Sequence, residues 1–325
     1  MSERNKQLCI LGGAGGQGQA ILTAALAKGY ACTVLQRASS QVRLPASAQT
    51  RIVKGGLEDR RAIQEAIAEA SAVVVTIPLT FDSMQMQSMA EMVFEAISEQ
   101  RVPRFVFNAS TMTPDTSTGS EVIYAYRRIA RWAEEVDSKV TVIRPTLFLE
   151  NLLAPWTLAE LIAHGTISTA LPREEAIAWM SQRELGRMVV AALETDALVG
   201  QQVDVGGADQ VTGDELSKRL GWALNLPLRF ESISPSVLSS RVAPMLGSLA
   251  ASEIGMHYEH FAATNHPVRS LDTVRNRGRF AEFEADSIER WASDILAPSI
   301  PRGSISMLPT EFRLTSRVDI NILET

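Results

Sequence analysis

Gly12-Gly13-Ala14-Gly15-Gly16-Gln17-Gly18 is the stretch on which the reading of this chain turns. It follows an apolar segment of strand length, Gln7-Leu8-Cys9-Ile10-Leu11, and opens onto Ala20-Ile21-Leu22-Thr23-Ala24-Ala25-Leu26-Ala27, which has helical composition. Strand, glycine turn and helix in that order give such a motif its chemical meaning. Glycines allow a tight turn and let bare backbone approach a ligand. The N–H groups and positive dipole end of the following helix then favour a pyrophosphate. The spacing fits GxGxxG through Gly13, Gly15 and Gly18, and equally GxxGxxG through Gly12, Gly15 and Gly18. In either register the expected ligand is a dinucleotide, held by Gly12, Ala14, Gly15, Gly16, Gln17 and Gly18.

The next strand, Ala31-Cys32-Thr33-Val34-Leu35, tests which dinucleotide. Sites that prefer NAD place an Asp or Glu about 20 residues past the glycines, on the ribose hydroxyls. Here the strand runs into Gln36-Arg37-Ala38-Ser39-Ser40, which holds no carboxylate. The planar fork of an arginine suits a 2′-phosphate. Arg37 therefore points to NADP(H) over NAD(H), the alternative being a solvated loop charge.

Strands and helices go on alternating through the first half. Strands are expected at Arg51-Ile52-Val53-Lys54, at Ala72-Val73-Val74-Val75-Thr76-Ile77, at Arg104-Phe105-Val106-Phe107-Asn108 and at Lys139-Val140-Thr141-Val142-Ile143-Arg144-Pro145. The uninterrupted apolar run at 72–77 suits a strand covered on both faces. The helix after it carries a stripe of Met84, Met86, Met89 and Met92, read as core packing. Such repeats imply an α/β fold with a doubly wound parallel sheet, whose ligand lies beyond the carboxyl ends of the strands. Gly56, Leu57, Ile77, Pro78, Asn108 and Pro145 sit at those ends and are expected to meet around the same dinucleotide. The second half reads as helix at 182–194, a strand at 201–205 that returns to the sheet, and a helix start at Thr212 with Glu215 completing a capping box. The expected organisation is a dinucleotide-binding domain over 1–150 with a returning strand near 201–206, a smaller, mostly helical substrate lobe over 151–297, and a tail or arm over 298–325.

Composition narrows the partners. With 37 acidic and 31 basic residues the net charge is −6, so no basic field draws nucleic acid or anionic lipid. No run of 18 apolar residues spans a membrane, and the polar start Met1-Ser2-Glu3-Arg4-Asn5-Lys6 is no signal peptide. Cys9 and Cys32 each fall inside an expected strand and read as buried thiols in a reducing compartment. A cytoplasmic protein acting on a small molecule follows. His164, His257, His260 and His266 read as surface or helix-end residues without the spacing of a metal site.

Several segments together resemble the NmrA-like group of atypical short-chain dehydrogenase/reductases. The matching pieces are the glycine turn, Arg37, Gly55-Gly56-Leu57, the strand ending Asn108-Ala109-Ser110, and above all Val142-Ile143-Arg144-Pro145-Thr146-Leu147-Phe148-Leu149-Glu150-Asn151. Leu185-Gly186, Gly206-Gly207 and Ile288-Glu289-Arg290-Trp291 extend the likeness over roughly 6–297. The resemblance implies a Rossmann fold binding NADP(H), with Phe148 and Asn151 flanking nicotinamide or substrate.

The catalytic position departs from the family. Short-chain reductases pair a tyrosine with a lysine four residues on, which places both on one helix face. Here Tyr124 and Arg128 keep the spacing with arginine in place of lysine, while counting back from Arg144 puts Tyr126 near the lysine position. Tyr124, Arg128 and Ser110 are the candidate proton donors, against the alternative that the tyrosines pack and the arginines are solvated. Two functions stay open. One is an NADPH-dependent oxidoreductase reducing a small quinone or conjugated carbonyl. The other is a non-catalytic NADP(H)-binding redox sensor or regulator acting through a protein partner. A homodimer also stays open.

Overall fold

A computed structural model describes residues 6–45, 47–113, 119–137, 139–262, 270 and 272–301. Its strands are β1 (Gln7–Leu11), β2 (Ala31–Gln36), β3 (Thr50–Lys54), β4 (Ala72–Thr76), β5 (Phe105–Asn108), β6 (Thr141–Pro145), β7 (Thr166–Thr169), β8 (Gln202–Val205) and β9 (Arg229–Ser232). Its longer helices are α1 (Gly16–Ala27), α2 (Arg60–Ile67), α3 (Ser83–Gln100), α4 (Glu121–Val136), α5 (Pro155–His164), α6 (Gln182–Leu193), α7 (Gly213–Leu224) and α8 (Pro235–Ala262), followed by the single turns α9 (Asp272–Arg275) and α10 (Ile288–Trp291). The loop residues 114–118, His266 and the tail 302–325 lie outside the described residues.

Seven strands form a parallel sheet in the order β3-β2-β1-β4-β5-β6-β8. This is the doubly wound Rossmann arrangement expected from the alternation. β1 pairs with β2 through Leu8↔Cys32 and with β4 through Leu8↔Ala72, so the winding reverses between β1 and β4. That reversal opens a crevice at the carboxyl ends of the two strands.

The pleat sorts side chains between two layers. Cys9, Leu11, Val73, Val75, Phe105 and Phe107 face α2, α3 and α4. Leu8, Ile10, Val34, Val74, Val106 and Ile143 face α1 and α6. All five residues of β4 are buried, as a strand covered on both faces requires. Met86 and Met89 fill the first layer and Met92 packs against it, as the stripe reading expects, whereas Met84 is exposed to solvent and takes no part in the core. Cys9 and Cys32 are free, buried thiols, and burial pushes both up, Cys32 to about 12.

After β6 the chain leaves the sheet and then returns to it. α6 packs in the α1 layer, and β8 pairs with β6 through Ile143↔Val203. The intervening and following segments build a lobe around Leu152, Leu161, Ile167, Trp179, Leu216, Phe230, Phe261 and Trp291. This lobe is mostly helical, with a two-stranded parallel sheet of β7 and β9 added. Strands of four residues show too little alternation to stand out in a sequence. α7 begins with the expected capping box, Thr212 and Glu215 exchanging side-chain and backbone bonds. α8 is kinked at Gly247, whose φ of 84° breaks the helical path. Among the described residues no helix is long and apolar enough to cross a membrane.

Candidate functional site

A cleft of about 840 Å³ runs along the carboxyl ends of the strands, from β2 and β3 across the β1/β4 crevice to the lobe. Gly12, Ala14, Gly15, Gly16, Gln17 and Gly18 line it, as do Arg37, Gly56, Leu57, Ile77 and Pro78. The sequence places all of these around one ligand, and the fold brings them together.

Backbone forms the floor of this first end. Gly12 has φ +89°, and a Cβ there would lie 2.3 Å from the Thr76 carbonyl oxygen. A Cβ on Gly18 would lie 2.2 Å from the Gly12 oxygen. Gly12, Gly15 and Gly18 line the cleft, while Gly13, where a Cβ would lie 2.6 Å from Val34 Cγ1, is absent from the lining. α1 starts after Gly15 with no side-chain cap and no acidic residue in its first turn. Its first N–H groups and its positive dipole end are left for an anion. Arg37 is exposed on the cleft wall and takes part in no ion pair among the described residues. An uncapped helix start and a cradle that a Cβ on Gly12 or Gly18 would fill fit a dinucleotide.

Asn108 and Pro145 stand differently from the expectation that both touch the ligand. Asn108 is fully buried beneath the cleft. Its amide donates to Gln17 Oε1 at 2.6 Å and to Thr76 Oγ1 at 3.1 Å, and its Oδ1 accepts from the Ser110 backbone at 3.1 Å. It ties the glycine turn to the ends of β4 and β5 and holds Ser110 at φ +63° on the wall. Pro145 is buried within β6 against Val205, and Thr146 and Leu147 take its place in the lining.

The Tyr124–Arg128 pair is corrected by the helix it sits on. α4 buries Val122, Ile123, Ala125, Tyr126, Ile129, Ala130 and Ala133. Positions 124 and 128 fall on the opposite face, at the period of 3.6. Tyr124 is 46 % exposed beside Arg127, Arg128 is exposed, and neither lines the cleft. Tyr126 does line it, and burial pushes its phenol well above the usual tyrosine range. That side chain is a neutral hydrogen-bond donor at any physiological pH.

The second end of the cleft is a compartment of side chains. Phe148 and Asn151 line it as expected, with Ser110 and Tyr126. The Glu150 between them faces inward. It accepts from the Gln182 backbone and from the Trp291 indole, both at 3.0 Å, and so locks the exit of β6 to α6 and α10. Burial raises its carboxyl above the usual range. Trp156 on α5 and Glu253, Ile254, His257 and Tyr258 on α8 close the compartment. Sequence reading missed these residues. His257 is no surface histidine: its ring packs edge-on against Phe261 at 4.6 Å, and burial, with His260 nearby, lowers its pKa to about 4. Burial lifts the Tyr258 phenol to about 12. The one available signal was the i, i+4 spacing of Glu253 and His257, which puts both on one face of α8.

The model of the NmrA-like family matches residues 4–279. The chain is 23 % identical over 289 residues to the NAD(P)H azoreductase of Xenophilus azovorans, a match that covers 85 % of this chain and 96 % of that protein. Among solved structures, a nucleoside-diphosphate-sugar epimerase from Staphylococcus aureus superposes with a TM-score of 0.69 at 14 % identity, over 89 % of this chain and 100 % of that one. A NADPH-dependent quinone oxidoreductase from Escherichia coli gives 0.64 at 13 % identity, over 89 % and 99 %. At such identities these two likenesses concern the fold.

Proposed function

Since the chain belongs to the NmrA-like family, we propose that it is an NADPH-dependent reductase of a small, planar conjugated acceptor such as a quinone or conjugated carbonyl. The observation that carries this reading is the continuity of the cleft. It runs from an uncapped helix start into a compartment walled by Phe148, Trp156 and Tyr258. A dinucleotide laid across the β1/β4 crevice ends in that compartment, where an acceptor has room beside it. A protein that only sensed dinucleotide would have no use for the second space, which weighs against the regulator reading. The azoreductase relative, which the chain matches over nearly its full length, points the same way.

Each group has a defined task in this reading. Gly12, Gly15, Gly18 and the first N–H groups of α1 hold the pyrophosphate, and Arg37 pairs with the 2′-phosphate. Gly56, Leu57, Ile77 and Pro78 line the nucleotide end, and Asn108 keeps the turn in register from below. Bound NADPH supplies a hydride. Phe148 and Asn151 orient the acceptor, while the hydroxyls of Ser110 and Tyr126 polarise its oxygen. Tyr124 and Arg128 have no part, because the chemistry lies on the other side of α4.

Titration of the protein with NADPH and NADH, followed by NADPH oxidation with quinones and enones, tests the proposal. Tighter binding of NADPH with acceptor-dependent oxidation is expected. Tight binding without turnover of any acceptor transfers the reading to the regulator, and no binding at all removes both.

A further inference from the structure

A second, smaller cavity of about 160 Å³ lies on the α4 side of the sheet, where β6 meets β8. The strand register sets one wall of it. Val142 pairs with Gln202 and Arg144 with Asp204, so the pleat turns Arg144, Gln202 and Asp204 to the face on which Val142 meets α4. The opposite wall is a stripe of α4, with Arg127, Arg131 and Glu134 at i, i+4 and i+7. Thr113, from the segment after β5, completes it.

The polar groups around this cavity are mostly donors. Arg144 gives Nε and Nη2 to the Asp204 carboxylate at 2.6 and 3.0 Å, and its Nη1 has no partner among the described residues. Arg131 makes no ion pair and no hydrogen bond among the described residues. Thr113 is only 5 % exposed, yet its hydroxyl has no hydrogen-bond partner among the described residues. Arg127 and the Gln202 amide bring further N–H groups. Against these stands Glu134, which is exposed and makes no ion pair among the described residues. In a chain of net charge −6 this concentration of guanidinium is a local feature.

Three guanidiniums held together and a nearly buried hydroxyl without a partner are unfavourable until an acceptor arrives. Guanidinium N–H groups match the oxygens of a phosphate in both charge and geometry. The volume admits one such group and no nucleoside. We infer that this cavity is a second anion site, which takes a single phosphate group. Thr111 and Tyr126 line both it and the main cleft. The bound group therefore sits behind the wall of the acceptor compartment, and it can arrive as a free ion or on a molecule held in that compartment. The site stands on its own geometry and does not require the cleft to carry out a reduction.

Calorimetric titration with inorganic phosphate at about pH 8, where the ion is a dianion, tests the site, with NADP⁺ in excess to fill the glycine cradle. Saturable binding is expected. Arg131→Gln, an exposed change on α4, should weaken it about tenfold through the lost charge-assisted bond. Thr113→Val, which leaves every charge in place, should weaken it about fivefold. Phosphate held at the glycine cradle responds to neither change. An absence of saturable binding in the unaltered protein, or an affinity that fails to fall in both variants, overturns the inference. A fall in Arg131→Gln alone reads as diffuse attraction between charges and overturns it as well. Phenyl phosphate then identifies the source. Binding tighter than that of inorganic phosphate, and weakened by the same two substitutions, assigns the group to a phosphorylated molecule in the compartment. Weaker binding assigns it to the free ion. Oxidation of NADPH enters neither measurement, so the anion site and the reductase reading fail separately.

Discussion

The two ends of the cleft are built in opposite ways. The proposed nucleotide end is built on a backbone floor and comes from short segments that follow successive strands: the turn after β1, Arg37 after β2, Gly56 after β3, Ile77 after β4. The acceptor end is made of side chains drawn from segments far apart in the chain, Ser120 and Glu253 being 133 positions apart. The first is fixed by steric rules that tolerate little. The second is a packed surface that tolerates exchange and sets what enters. One fold can thus keep its cofactor and change its acceptor.

The sharpest way to break this contrast is at Gly12. Gly12→Ala forces a side chain into φ +89° and against the Thr76 carbonyl. A loss of about 3 kcal/mol or more is expected, with Tm lower by roughly 5–10 °C. Dinucleotide binding should vanish. Thermal melts with and without NADPH check this, and an unshifted Tm with intact binding would place the turn among tolerant surfaces.

Arg37→Glu comes next. The loss of a charge-assisted pair should weaken NADPH by about 2–3 kcal/mol, roughly 100-fold in Kd, and NADH by less than about threefold. Parallel titrations decide it, and equal weakening of both would end the argument for a 2′-phosphate partner. At the other end, Trp156→Ala should raise the acceptor KM about tenfold while NADPH affinity stays within about twofold. A matching loss of NADPH affinity would merge the two ends into one site.

His257 gives a pH signature of the acceptor end. Its folded pKa, about 4, lies below the ordinary histidine value of 6.5. The unfolded chain therefore takes up the proton first as pH falls. Stability is full above pH 6.5 and is lost as pH drops toward 4, the sign of a depressed pKa. Since the ring is only half-buried, about 1 kcal/mol is expected between pH 7 and pH 5, relative to His257→Gln. Urea denaturation of both proteins at the two pH values measures it, and identical pH slopes would place the ring in water. The smallest effects belong to Tyr124→Phe and Arg128→Ala, which should change kcat/KM by less than about twofold. A tenfold fall in turnover would bring that face of α4 back into the chemistry.

Much of the nucleotide end was legible from the sequence, because its rules are local. A glycine that must adopt positive φ, a helix start that must stay uncapped and a guanidinium just past a strand are all visible within a few residues of one another. Asn108 and Pro145 were misjudged by one step. Lying at a strand end places a residue near the cleft, but its side chain points up or down according to packing that the string does not show. The same limit applied on α4. The spacing of Tyr124 and Arg128 assured a common face, and only the packing of Ile123 and Tyr126 decided which face met the cleft. On α8 the i, i+4 spacing of Glu253 and His257 marked a common face, but not what that face meets, since Ser120 of α4 and Trp156 of α5 come from elsewhere in the chain.

The sequence by itself determined the alternation of strands and helices, the doubly wound sheet and the glycine cradle, because those follow from periodicity and from backbone sterics within short windows. Tertiary structure alone decided that α6 packs in the α1 layer, that Tyr126 rather than Tyr124 lines the cleft, and that a buried Glu253 stands among its walls. Those outcomes depend on which distant apolar faces bury one another, and that is a property of the packed whole, not of any segment.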